Sequence, residues 1–306
     1  MKKCAFIYNP ESGHLKNKRL IYKMMDVLKT YDYITDLYKT EYPKHAEKIV
    51  KDLEYYDLVI CAGGDGTLNE AIEGNIKRER RLLLAHLPFG TSNDVGHMYG
   101  YSKNHLKDLH MLLKGDIKNV DVCKINDKYF IYVACFGNFI DVSFKTPRKW
   151  KKQYGRLAYI YYGVQKLAEE INTTKIKYTI DGEVREGDYS FIFVTNSSRV
   201  AGVNNLYRDV KLDDNMFEVA LCKSKNRREL LGVLSQLLVT SIDKIEGFEY
   251  YRTNNLKIEF ENISENSWGV DGEEYHTKSN YFDFTITKEV QMMLPKKNFN
   301  KLFEDK

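Results

Sequence analysis

Several common signatures are missing from this 306-residue sequence. No G-x-x-x-x-G-K-[ST] run occurs, which excludes a P-loop enzyme, and no G-x-G-x-x-G is present, which argues against a dinucleotide oxidoreductase. His14, His45, His86, His97, His105, His110 and His276 show no H-E-x-x-H or other zinc spacing, and no G-x-S-x-G marks a nucleophile elbow. Cys4, Cys61, Cys123, Cys135 and Cys222 are widely spaced in apolar contexts with no C-x-x-C pair, and read as reduced, buried thiols of a cytosolic protein. No apolar run approaches the ~20 residues needed to span a bilayer. Met1-Lys2-Lys3 leads at once into a strand, so no signal peptide is expected. Repeats and low-complexity segments are absent too, apart from a lysine-rich end at Lys296 to Lys306. A net charge of only +4 is too small to imply nucleic acid.

What is present begins with Leu58-Val59-Ile60-Cys61-Ala62, a continuous apolar run of the kind a parallel sheet buries on both faces. It stops at Gly63-Gly64-Asp65-Gly66-Thr67-Leu68-Asn69-Glu70. The glycines let the backbone turn through conformations closed to residues with a Cβ and let a ligand approach bare peptide groups. A helix is expected from Thr67, its start a ready anion site. A carboxylate beside a phosphate is repulsive unless a metal lies between them, so Asp65 reads as a magnesium-linked or proton-handling residue. The plainer alternative is a strand-to-helix turn with Asp65 as its N-cap.

From Met1 to about Gly115 the pattern alternates. Strands are expected at Lys3 to Tyr8, Tyr33 to Tyr38, Tyr55 to Ala62 and Leu82 to Leu87, with helices at Lys16 to Lys29 and about Pro43 to Leu53. This predicts an α/β domain with a parallel sheet, ligands binding at the carboxyl ends of its strands. Three loops at that edge offer glycine, hydroxyl and amide groups: Asn9-Pro10-Glu11-Ser12-Gly13, the Gly-Gly-Asp-Gly turn, and Pro88-Phe89-Gly90-Thr91-Ser92-Asn93-Asp94. Any one of them is more often a plain capped turn. Three at one edge point to a phosphate cradle.

After Gly115 the runs are short and β-rich: Asn119 to Ile125, Lys128 to Cys135, Lys175 to Asp181, Tyr189 to Asn196, Phe217 to Leu221, Leu256 to Phe260 and Tyr281 to Thr287. They predict a mostly antiparallel β-sandwich as second domain, with a hairpin turn at Asp181-Gly182 and inserted helices at about Tyr154 to Glu170 and Arg227 to Thr240. The expected domains are 1–116 and 117–288, with the C-terminal segment of about 289–306 a candidate to return to the first. Val210-Lys211-Leu212-Asp213-Asp214-Asn215-Met216 sets adjacent carboxylates in a tight turn that suits either magnesium, calcium or plain solvent. Gly269-Val270-Asp271-Gly272-Glu273 is a hairpin turn or, if Glu273 faces a cleft, a functional acid pair. The cationic run Lys145, Arg148, Lys149, Lys151, Lys152 and Arg156, with Trp150 and Tyr154, reads as a solvated loop, a contact for nucleic acid, or a dock on anionic lipid.

As an ordered set, Asn9 to Gly13, Gly63 to Glu70, Gly90 to Asp94, Lys211 to Asp214 and Asp271-Gly272-Glu273 resemble the catalytic domain of diacylglycerol and sphingosine kinases, in particular the soluble bacterial diacylglycerol kinase-like lipid kinases. The resemblance runs from Tyr8 to about Glu273 and implies an NAD kinase/diacylglycerol kinase-like fold. It implies an ATP site lined by Asn9, Pro10, Glu11, Ser12, Gly13, Thr40, Gly63, Gly64, Asp65, Gly66, Thr67, Leu68, Asn69 and Thr91. Asp65 would position metal-bound phosphates, Glu273 would be the general base toward a lipid hydroxyl, and Asp121 would assist. A structural magnesium turn would take the Asp214 carboxylate and the carbonyls of Lys211 and Met216. The implied cofactors are ATP and Mg2+. The implied reaction converts diacylglycerol to phosphatidic acid at a membrane surface, by a cytoplasmic, peripherally associated protein that does not bind nucleic acid. A homodimer stays open. Two rival readings share part of the pattern: an NAD kinase-like small-molecule kinase, and a non-catalytic nucleotide-responsive protein at the membrane surface.

Overall fold

The apolar runs of the first third become the middle of a parallel sheet. The computed structural model describes residues 1–13, 15, 18–137, 171–200, 203–204, 206–237, 240–261, 266–297 and 301–304. Its first unit comprises Met1–Val120 and Glu289–Asn300. In chain order it holds β1 (Lys2–Tyr8), α1 (Lys18–Thr30), β2 (Tyr33–Lys39), α2 (His45–Asp52), β3 (Leu58–Gly63), α3 (Asp65–Ile76), β4 (Leu84–Pro88), α4 (Asp94–Met98) and α5 (His105–Leu113), then the start of β5 (Asp116–Ile125). The strands lie in the order β2-β1-β3-β4, all parallel. Every residue of β3 and β4 is buried, as the unbroken apolar run of β3 requires and with His86 as the one polar side chain in β4, whereas β2 at the edge is mostly exposed.

Helix α3 is held against α2 by two devices. A Cβ on Gly74 would lie 2.3 Å from the Glu47 carbonyl oxygen, so only glycine allows this approach. The Glu70 carboxylate accepts the Lys44 and Ala46 N–H groups at 2.8 and 3.1 Å, supplying the start of α2 with the acceptor it lacks.

The helix starts at Asp65 rather than at Thr67. Gly64, extended at φ −85° and ψ −179°, is the cap, and its carbonyl accepts both the Thr67 and Leu68 N–H groups. Asp65 is therefore the first helical residue and not an N-cap. Gly66 falls in the first turn, outside the helix interior where glycine costs roughly 1 kcal/mol relative to alanine.

The second unit comprises Asp121–Lys288 and Lys301–Lys306. After β5 come β6 (Lys128–Phe130), β7 (Val133–Gly137), β8 (Thr174–Ile180), β9 (Glu183–Tyr189), β10 (Phe191–Thr195), β11 (Arg199–Val200), β12 (Val203–Asn204), β13 (Phe217–Cys222), α6 (Arg227–Leu237), β14 (Phe248–Thr253), β15 (Asn255–Phe260), β16 (Asn266–Val270), β17 (Glu273–Thr277) and β18 (Tyr281–Leu294). One antiparallel layer runs β14-β13-β10-β7-β16-β17, and the other includes β9-β8-β15 and the first residues of β18. Trp268 is fully buried in the core between them, with ring centroids 5.1 Å from Phe282 and 5.2 Å from Phe284.

Several boundaries depart from the sequence pattern. The expected strand Lys128 to Cys135 is split between β6 and β7 because the Asp271 carboxylate captures the N–H groups of Ile131, Tyr132 and Val133 at 2.7, 3.1 and 3.1 Å. Strand β9 carries four charges in seven residues, so it lacks a strand-like alternation, yet it pairs with β8 across Asp181-Gly182, a turn with φ +52° and +81°. Strand β18 does not stop at Thr287 but continues to Leu294, where Met292 and Met293 pair in parallel with Leu84 and Ala85 of the first unit's sheet. The expected helix Tyr154 to Glu170, the cationic run from Lys145 to Arg156 and His14 lie outside the described residues. Four of the cysteine side chains are buried and Cys135 is half-buried; all are free, and burial pushes the Cys61 and Cys135 thiols up to about 12. Among the described residues no helix is long and apolar enough to cross a membrane.

Candidate active site

In the first unit the strand ends are level: Tyr8 is opposite Lys39 and Ala62, and Gly63 is opposite Pro88. The ladder then runs one residue past the strands, with Asn9 N–H donating to the Ala62 carbonyl (3.0 Å), Thr40 N–H to Tyr8 (2.9 Å) and Phe89 N–H to Gly63 (2.7 Å). Each loop therefore leaves the sheet from a fixed point on one edge. Asn9 to Gly13, Thr40, Gly63 to Thr67 and Gly90 to Asp94 are all brought to it.

The loops are shaped by close backbone approach. A Cβ on Gly90 would sit 2.7 Å from the Gly64 Cα and 2.7 Å from Asn93 Oδ1, and one on Gly63 would sit 2.5 Å from Thr67 Oγ1. Gly13, at φ +47°, would carry its Cβ 2.6 Å from the Phe89 carbonyl oxygen. The result is a surface of bare peptide groups next to the N-terminus of α3, where N–H groups and the helix dipole favour an anion. A cavity of about 260 Å³ opens beside it, lined by Gly13, Phe89, Gly90, Thr91, Asn93 and Lys103 among others.

Polar side chains fix this surface. Asn9 Oδ1 accepts the Glu11 N–H at 2.9 Å, an Asx turn that shapes the first loop, and its Nδ2 reaches Thr67 Oγ1 at 3.4 Å. Asp65 is buried, and its Oδ2 accepts the Asp94 N–H at 2.8 Å, joining the second loop to the third. Asn93, in the left-handed region at φ +48°, donates to the Gly90 carbonyl at 2.8 Å. Leu68 is a fully buried core side chain, so only its backbone can face a ligand. Below the turn, His86 Nε2 lies 3.3 Å from the Gly63 carbonyl oxygen. Burial pushes the His86 pKa down to about 4, so the ring is neutral at pH 7 and donates from Nε2.

The second unit carries the remaining candidates. The Asp271 carboxylate, 6% exposed, is spent on the three N–H groups named above, and Asp271-Gly272 makes a tight turn at φ +48° and +80°. Glu273 follows on the solvent side, exposed, so the anchor and the candidate base stand two residues apart, across Gly272, in opposite environments. Asp121 is buried; its N–H donates to the Leu212 carbonyl (2.7 Å) and its Oδ2 accepts the Asn215 N–H (2.7 Å), which ties it to the Lys211–Met216 turn. In that turn Asp214 Oδ1 accepts the Met216 N–H at 2.9 Å, while Oδ2 is in contact with the Arg252 guanidinium. Lys211 Nζ donates to the Phe303 carbonyl at 3.0 Å, and Asp213 Oδ1 accepts the Glu304 N–H at 2.8 Å. No group of three or more His, Cys, Asp or Glu side chains among the described residues is placed to hold a metal ion.

Three pairings escaped the sequence reading. Asp94 was visible in its motif, but nothing local pairs its N–H with Asp65. The anchoring role of Asp271 depends on residues about 140 positions earlier. Arg252 reaches Asp214 only because β14 pairs with β13, with no motif to mark it.

Comparison with known proteins agrees with this geometry. The profile of the diacylglycerol kinase catalytic domain matches residues 3–125, and that of the YegS C-terminal NAD kinase beta sandwich-like domain matches residues 144–285. The chain is 30% identical over 277 residues to a diacylglycerol kinase of Bacillus subtilis (strain 168), covering 89% of this chain and 90% of that one. It is 34% identical over 238 residues to a diacylglycerol kinase of Staphylococcus aureus (strain MRSA252), covering 76% and 75%. A crystal structure of a diacylglycerol kinase from Bacillus anthracis str. Sterne shares the fold at a TM-score of 0.75 and 22% identity, over 96% of this chain and 97% of that one. The level strand edge with its glycine loops, the β-sandwich that follows it and these relatives along almost the whole chain lead to one assignment: the protein belongs to the diacylglycerol kinase family.

Proposed function

We propose that this protein transfers the γ-phosphoryl group of ATP to the hydroxyl of a lipid, converting diacylglycerol to phosphatidic acid. The observation that carries the reading is the Gly64–Gly90 backbone contact at the level strand edge, with Asp65 fastened to the Asp94 N–H beside the α3 N-terminus. It is a preorganised, rigid surface for a polyphosphate.

In this mechanism the peptide N–H groups of Gly64 to Gly66 and the loop from Asn9 to Gly13 hold the phosphates, with Thr40 and Thr91 at the margins. Magnesium bound to ATP would supply charge neutralisation at the phosphate oxygens, with Asp65 the acid nearest to them. Asp65, held by Asp94, orients the charged end of the nucleotide. Glu273 takes the proton of the acceptor hydroxyl as its oxygen bonds to the γ-phosphorus, and the bond from that phosphorus to the bridging oxygen breaks to release ADP. Asp121 acts at a distance, by ordering the turn at Asn215. The acceptor being a lipid, we place the protein at the cytoplasmic face of a membrane by peripheral contact.

The test is transfer from γ-labelled ATP with magnesium to a panel of dispersed diacylglycerol, sphingosine, ceramide and phosphatidylglycerol, with NAD included. Label in phosphatidic acid supports the proposal. Label on NAD alone, or on no lipid, refutes it.

A further inference from the structure

The Lys211–Met216 turn stands where the family resemblance implies a structural magnesium. Magnesium demands a near-octahedral shell of oxygens and keeps them at short, fixed distances. Of the groups the resemblance implies, two are the backbone carbonyls of Lys211 and Met216, and the only carboxylate among them is already taken. Asp214 has a side chain only 5% exposed, and both of its carboxylate oxygens are engaged, one by the Met216 N–H and the other by the guanidinium of Arg252. The neighbouring acid is turned away, since Asp213 Oδ1 accepts the Glu304 N–H. Asp121, which could approach the turn, accepts the Asn215 N–H instead.

Arg252 is not there by accident of a flexible side chain. Strand pairing fixes its backbone opposite Glu218 on β13, the strand that leaves the turn, and its Nε lies 4.0 Å from Glu218 Oε1. Asn215 adopts φ +59°, which closes the turn so that Asp214 faces β14. A planar guanidinium is suited to this position because it is always charged and gives directional hydrogen bonds to carboxylate.

We propose that the guanidinium of Arg252 is the resident cation of the Lys211–Met216 turn, so that in this chain the turn is closed without a divalent ion. Arg252 is thereby a positioning residue: it holds Asp214, and through the turn the Asn215 N–H that Asp121 accepts. Nothing in this depends on which lipid is phosphorylated, or on whether one is.

The experiment is thermal unfolding of the full chain without nucleotide, in chelator and in millimolar magnesium or calcium, for the wild type, Arg252→Met and Arg252→Lys, beside equilibrium dialysis with manganese. The expected wild-type Tm is the same in chelator and in divalent ion, and no manganese is retained in a manner that Asp214→Asn abolishes. Arg252→Met is expected to melt several degrees lower in chelator and to regain part of the loss with magnesium or calcium, as mass action stabilises a fold that binds the ion. Arg252→Lys is expected to melt between the two, because it keeps the charge and loses the planar fork. A wild type that gains stability from magnesium without nucleotide, or retains one manganese dependent on Asp214, overturns the proposal. Should Arg252→Met fail to fold, the wild-type dialysis and the Arg252→Lys melting curve still decide it.

Discussion

Replacing Gly90 by alanine tests the glycine cradle where it is tightest. The new methyl would meet the Gly64 Cα and Asn93 Oδ1, both at 2.7 Å, while an ordinary contact begins near 3.4 Å. The Gly64 side is backbone, so relief requires the second and third loops to part by about 0.7 Å. Overpacking of this kind costs roughly 1–3 kcal/mol, and alanine returns about 0.4–1 kcal/mol by restricting the unfolded chain. The net loss is then about 1–2 kcal/mol, a fall in Tm of only a few degrees. Activity should suffer far more. A 1 Å displacement of a positioning surface costs on the order of 100-fold in rate, and the parting of the loops pulls Asp94 N–H from Asp65 Oδ2. We therefore expect Gly90→Ala to melt within several degrees of wild type and to lose about 100-fold in kcat/KM for ATP, measured with saturating dispersed diacylglycerol. Wild-type kinetics in a Gly90→Ala protein would refute the cradle.

Three further expectations follow from the same structure. Asp271→Ala leaves the buried N–H groups of Ile131, Tyr132 and Val133 without their acceptor; a loss of roughly 3 kcal/mol, read by urea unfolding, is expected. His86 has a folded pKa of about 4 against an ordinary 6.5, so the unfolded chain takes up a proton first as pH falls; stability should decline from pH 6.5 down to about 4 by up to ~3 kcal/mol, and His86→Gln should flatten that part of the profile. Glu249 is pushed up by burial but pulled down further by Lys223 and by the hydroxyls of Tyr178 and Tyr189, to about 2. Its contribution is present above pH 4.5 and lost toward pH 2, and Glu249→Gln should melt at a pH-independent temperature deficit above 4.5 that shrinks in acid.

The parallel sheet was legible because Cys4 to Tyr8 of β1 and all of β3 and β4 are buried on both faces, which leaves His86 as their only strongly polar side chain. The glycine turns were legible for the converse reason, since a run that dense in glycine cannot extend the buried apolar strand before it. Beyond them, the information is distributed. Whether Lys128 to Cys135 is one strand or two depends on a carboxylate about 140 residues later, and no window of the sequence contains both. Strand β9 is missing from the expected strands because an edge strand needs only one neighbour and tolerates charge and solvent on its faces. The start of α3 was misplaced by two residues because glycine is a poor helix former in general but costs little in a first turn. The role of Arg252 at Asp214 has no local signature at all, being a consequence of strand register.

The most direct measurement compares Asp65→Asn and Glu273→Gln with the wild type for label transferred from γ-labelled ATP to diacylglycerol, alongside far-UV circular dichroism and calorimetric binding of ATP. Asn keeps an acceptor for the Asp94 N–H, and Glu273 is exposed, so both variants should fold and melt like the wild type. The expected result is phosphatidic acid formation by the wild type, a loss of at least ~100-fold in both variants, and ATP still bound by Glu273→Gln. Two folded variants that both phosphorylate diacylglycerol at wild-type rates would contradict the assignment of the site.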